Sequence, residues 1–161
     1  MAKVSKSGKD LPEGDTLEGQ IANAENHLKA MEAAVEHIWK KYQSHSWVGI
    51  YLLEGDTLVL GPWKGKQPTI HTRIPIGMGI CGLAARTRET VIVDDVSKDP
   101  RYLECFLDTK SEIVVPICKN GNVLGEIDVD GDRQGAFGES DRHYLELIAE
   151  QLASRLFEHE S

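Results

Sequence analysis

The sequence is short of cysteine, of positive charge and of long apolar runs, and each shortage narrows what the protein can do. Three cysteines, Cys81, Cys105 and Cys118, are an odd number at spacings of 24 and 13 residues. That pattern fits neither a secreted disulfide framework nor a C-x-x-C zinc site. The thiols are expected to stay reduced, as core filler or as reactive groups, and the protein is expected in the cytoplasm. No apolar stretch approaches the ~18 residues of a membrane span, and the opening MAKVSKSGKD has no apolar signal core behind it. Eighteen Lys and Arg against 26 Asp and Glu leave a net charge of −8, which repels phosphate backbones and anionic lipid faces. Neither nucleic acid nor a membrane is an expected partner. What remains is 161 residues, 40% hydrophobic and 27% charged, enough for one globular domain with its own core.

Residues 1–14 carry Lys3, Lys6 and Lys9 among Ser, Gly and Pro and read as a flexible arm; residues 15–161 read as a single domain. From Asp15, with Glu18 as a capping-box partner, Ile21, Ala24, Leu28, Met31, Val35, Ile38 and Tyr42 recur at steps of three and four. This predicts one long amphipathic helix that covers a sheet or pairs with its copy in a homodimer. Six extended runs follow: Trp47 to Leu53, Thr57 to Leu60, Thr69 to Ile74, Thr90 to Val93, Glu112 to Cys118 and Val123 to Val129. Asn120-Gly121 between the last two suits a two-residue hairpin turn, so these two strands should be antiparallel neighbours. Ser140 is placed to cap a final helix with Leu145, Ile148, Leu152 and Leu156 at helical spacing. The fold expected is α+β, an α/β sandwich of about six mainly antiparallel strands with the N- and C-terminal helices on one face.

Three constellations carry possible chemistry. Gly77-Met78-Gly79-Ile80-Cys81-Gly82 spells G-x-G-x-x-G, but Pro75 interrupts the preceding run and no βαβ units follow. A tight glycine turn into a short helix is the simpler reading than a dinucleotide site. If a ligand carboxylate binds at that helix N-terminus, Cys81 beside it should also have a lowered thiol pKa. Glu126, Asp128 and Asp130 alternate along one strand and share a face, with Glu112 on the neighbouring run. They form either a solvated acidic face or a pocket whose crowding raises one carboxyl pKa while another holds a cationic ligand group. Without an EF-hand loop or added histidines, no metal is expected there. Cys105 lies in a loop-like segment seven residues before Glu112, better placed for chemistry than Cys118 at the end of a strand.

Trp47 to Leu52, Leu58 to Pro62, Gly77 to Ala85, Ser111 to Ile117 and Gly125 to Asp130 resemble the GAF-domain free methionine-(R)-sulfoxide reductases, over about residues 20 to 157. The more specific part of the likeness is G-x-C-G, a cysteine seven before the Ser-Glu glutamate, and the pair Asp128 and Asp130. The resemblance implies a GAF-like fold and thiol-dependent reduction of free L-methionine-(R)-sulfoxide, with no bound cofactor and NADPH-linked thioredoxin as reductant. It implies Cys105 as nucleophile, Glu112, Asp128 and Asp130 as the acid and ammonium-binding cluster, and Trp47 and Tyr51 as the apolar wall for the substrate methyl. His71 stands where many members carry a resolving cysteine, which leaves Cys81 to close a disulfide with Cys105. Tyr102-Leu103-Glu104-Cys105-Phe106 also departs from the family's usual nucleophile loop, and Glu126 stands where the family is usually apolar. Two other functions are compatible with these residues: a sensory GAF module that binds a small ligand without turnover, and a cysteine redox switch.

Overall fold

The computed structural model describes residues 16–42, 45–103 and 108–157. The N-terminal arm expected from the sequence lies outside them. Six strands form one sheet in the order β3-β2-β1-β6-β5-β4, and every neighbouring pair is antiparallel. The strands are β1 (His45–Glu54), β2 (Thr57–Gly65), β3 (Arg73–Pro75), β4 (Val91–Val93), β5 (Ser111–Lys119) and β6 (Asn122–Gly131). The β5–β6 hairpin closes as expected: Lys119 pairs with Asn122, and Asn120 and Gly121 take φ of 50° and 78°, the left-handed pair that a two-residue turn requires. The third run begins four residues later than expected, at Arg73, and ends at Pro75, which has no N–H to continue a ladder.

The N-terminal stripe is not one helix but two, α1 (Leu17–Ala22) and α2 (His27–Lys41). Asn26 causes the break, since its side-chain oxygen accepts the Lys29 backbone N–H at 2.9 Å and so starts a new helix. The first helix is capped by Thr16 rather than by the expected Asp15 box. Ile21, Met31, Val35 and Ile38 are buried, whereas Leu28, beside the break, is half exposed. The last helix, α4 (Glu139–Phe157), begins one residue before Ser140. Its cap comes instead from Asp141, whose carboxylate accepts the Gly138 N–H at 2.8 Å and the Tyr42 hydroxyl at 2.7 Å, tying the end of α2 to the start of α4.

Strand alternation sends Val48, Ile50, Ile113, Val115, Ile117, Ile127 and Val129 to one face, where α1, α2 and α4 cover them. The terminal helices therefore lie on one face, as the pattern predicted. The other face is covered too, by the short helix α3 (Gly79–Thr87), which buries Ile80, Cys81 and Ala84 against Trp47, Tyr51, Leu58, Ile74 and Val114. An apolar lid this short leaves the polar residues of the same sheet face beneath it, and they make the site described next. Asn26→Ala should cost about 1 kcal/mol by removing the cap that starts α2, read as a lower urea midpoint at unchanged m-value.

Candidate active site

Sheet register builds the site. On β6, Glu126 lies between Tyr51 and Pro116, Asp128 between Gly49 and Val114, and Asp130 between Trp47 and Glu112. Three carboxyls thus run along one strand and a fourth flanks the last of them. None is more than 4% exposed, which decides for a pocket and against a solvated acidic face.

The glycine motif sets α3 over this row. Gly79 takes φ of 69° where the chain turns into the helix, and a Cβ on Gly82 would lie 2.6 Å from the Ile76 carbonyl oxygen. Both positions demand glycine for backbone packing, as the simpler reading of G-x-G-x-x-G expected. The close approach brings the Cys81 Sγ to 3.4 Å from Asp128 Oδ2 and 4.0 Å from Glu112 Oε1. A second glycine serves the aromatic wall. The Trp47 ring lies flat across Gly49, where a Cβ would come within 2.1 Å of it. That ring sits 6.2 Å from Tyr51 and stacks at 6.3 Å on Trp63. The Tyr51 hydroxyl donates to the His71 carbonyl at 2.8 Å, so His71 joins the wall through its backbone. Leu103 approaches Gly79 and closes a cavity of only about 10 Å³, lined also by Ile74, Ile80, Cys81, Glu112 and Asp128.

The electrostatics overturn one expectation. Burial pushes the Cys81 thiol well above its ordinary pKa, and Asp128, Glu126 and Glu112 add to the rise. The helix N-terminus does not lower it, because desolvation and three carboxyls oppose the thiolate more strongly than one helix end favours it. Burial likewise raises Glu126 far above the usual carboxylate range, against an opposing pull from the Cys81 thiol. Asp130 is raised well above its ordinary value by burial, then by Asp128 and Asp108. Asp128 is raised by burial, while its contacts with Glu112 and Cys81 act the other way. Among the described residues, no ion pair falls on Glu126, Asp128 or Asp130.

Structure therefore brings together Cys81, Glu112, Asp128, Asp130, Trp47 and Tyr51, all expected at the site. Cys105 lies outside the described residues. Cys118 is half buried at the far end of β5, six residues and about 20 Å along the strand from Glu112, and takes no part. Trp63 and Leu103 were not anticipated. Trp63 carried a faint signal in the aromatic at the end of the β2 run, whereas Leu103 carried none.

A GAF domain family model matches residues 28–156. A free methionine-R-sulfoxide reductase from Saccharomyces cerevisiae is 40% identical over 145 residues, spanning 85% of this chain and 79% of that protein. The chain belongs to the GAF-domain free methionine-R-sulfoxide reductase family. GAF domain-containing protein A of Dictyostelium discoideum is 39% identical and is spanned over 96% of its length, with 93% of this chain matched. The crystal structure of the reductase from Neisseria meningitidis in complex with its substrate superposes with a TM-score of 0.80 at 34% identity, covering 88% of this chain and 84% of that one.

The buried acids predict a pH dependence of stability in this reductase-family chain. Glu126, Asp128 and Asp130 have folded pKa values above their unfolded ones, so the native state binds more protons than the unfolded state as pH rises above the ordinary carboxylate range. Unfolding free energy must then fall with rising pH, by up to about 1.4 kcal/mol per pH unit for each such group. Glu126→Gln should decline less steeply than wild type in urea titrations from about pH 5 to about pH 8.

Proposed function

We propose that the protein reduces free L-methionine-(R)-sulfoxide to methionine, with Cys105 as nucleophile and thioredoxin, kept reduced by NADPH, as the electron source. The observation that carries this reading is a row of buried, proton-retaining carboxyls beside an aromatic wall in a chain of this family. Sulfoxide reduction needs an acid still protonated near neutral pH, because thiolate attack on the sulfur proceeds only as the oxygen gains a proton. Glu112, Asp128 and Asp130 supply the acid and hold the substrate ammonium; Trp47 and Tyr51 face its methyl.

The Cys105 thiolate attacks the sulfoxide sulfur and a carboxylic acid protonates the oxygen, which passes to Cys105 as methionine leaves, giving a sulfenic acid. Cys81 then attacks the Cys105 sulfur. Its high-pKa thiol needs a base, and Asp128 at 3.4 Å, a carboxylate once it has protonated the sulfoxide oxygen, is placed to take that proton and pass it to the departing hydroxide, which leaves as water. Thioredoxin dithiol reduces the Cys81–Cys105 disulfide. No bound cofactor is needed, and the requirement for reduced thiols assigns the enzyme to the cytoplasm. Half-exposed Leu28 and partly exposed Trp63, lining one groove between α2 and β2, support a homodimer.

The decisive experiment is NADPH oxidation coupled through thioredoxin reductase and thioredoxin, with the separated R and S sulfoxides of free methionine. Turnover of R alone supports the assignment; turnover of neither would move the protein to a ligand-binding role. Cys105→Ser should abolish turnover without loss of fold. Cys81→Ser should release one methionine per site and then stall with thioredoxin, and peptide mapping of wild type after one equivalent of sulfoxide should recover a Cys81–Cys105 link. A Cys105–Cys118 link would reject Cys81 as the resolving thiol. Asp128→Asn should lower kcat by about 10² to 10⁴ if Asp128 is the proton donor, and should mainly raise KM if it holds the ammonium.

A further inference from the structure

The acid cluster has a feature that sulfoxide reduction leaves unused. Glu126 is completely buried, no cation or N–H group meets either of its carboxylate oxygens among the described residues, and it reaches toward the Cys81 thiol from the strand beneath α3. Asp128 Oδ1 is also buried without a partner. The Cys81 sulfur and one oxygen each of Glu112 and Asp128 lie within 4.8 Å of one another. A tetrahedral zinc site with metal–sulfur and metal–oxygen bonds of about 2.3 and about 2.0 to 2.2 Å separates sulfur from oxygen by about 3.5 Å. The two sulfur–oxygen distances here are 3.4 and 4.0 Å.

We infer that Cys81, Glu112 and Asp128, with the buried carboxyl of Glu126 beside them, form a binding site for a thiophilic divalent cation of the zinc class. Sulfur sets the class. Acidic residues alone would favour magnesium or calcium, which want six or more oxygens, but a thiolate with two or three carboxylate oxygens suits a borderline-soft ion of four-coordinate preference. Size agrees with this. An amino acid needs Leu103 to move from a cavity of about 10 Å³, whereas a bare metal ion occupies only the hole its ligands already enclose. Charge agrees as well, because among the described residues no ion pair compensates Glu126 or Asp128, and a divalent ion would do so at once. Binding requires Cys81 reduced, so the site exists only in the dithiol form.

Binding is read without any activity, so its failure and that of the reductase assignment are separable. The full-length reduced protein, freed of small thiols, is titrated with Co²⁺, and the near-ultraviolet thiolate-to-cobalt charge-transfer band is followed. One Co²⁺ per chain is expected, displaced by one equivalent of Zn²⁺. Cys105→Ser and Cys118→Ser should keep the band, Cys81→Ser should lose it, and Glu126→Gln should weaken cobalt binding about tenfold or more. A band that survives Cys81→Ser, or no uptake at millimolar Co²⁺, overturns the site. Should the serine variant fail to fold, the criterion passes to Glu126→Gln, whose shape is that of wild type, and an unchanged cobalt affinity there overturns it equally.

Discussion

Four carboxyls buried along one sheet face beneath the Cys81 thiol of α3, with no ion pair on the three β6 acids among the described residues, are the constraint on which the rest depends. Such a cluster cannot ionise fully in a low-dielectric site, so it must hold protons, a cationic ligand or a metal ion. All three options use the same atoms. The chemistry proposed for the site uses the first two in turn, protons for the sulfoxide oxygen and carboxylates for the ammonium.

The fold tolerates that cluster because the two faces of the sheet divide the work. Branched aliphatic residues of β1, β5 and β6 pack under three helices and form the larger core. The opposite face needs only a thin cover, and α3 supplies it with small residues and glycines that allow backbone to approach backbone. Stability is thus concentrated on one side, and the other side is left to hold acids whose burial costs folding energy. That separation is the usual arrangement of a strained site on a rigid support.

Cys81 shows how context reverses a local rule. A thiol at a helix N-terminus is expected to ionise readily, yet here it is buried against carboxyls. Protonated, it is a poor nucleophile toward oxidants at large. That property suits the second-acting role proposed for it, with Asp128 at 3.4 Å.

Periodicity alone determined much. Period-two alternation assigned Glu126, Asp128 and Asp130 to one face of their strand and Ile127 and Val129 to the other, and Asn120-Gly121 determined the hairpin, because these depend on pleat and turn geometry that neighbouring residues impose on each other. The resemblance carried the family and the same acidic residues. The break at Asn26 and the Asp141 cap were harder to see, since an apolar stripe outweighs a single side-chain hydrogen bond when only spacing is read. Tertiary structure alone decided that the acids are buried, that Cys81 faces them, that its pKa rises, and that Leu103 and Trp63 border the site. Those are properties of distance and solvent access between residues 31 and 47 positions apart in sequence, and only the closed sheet with α3 laid across it makes them neighbours.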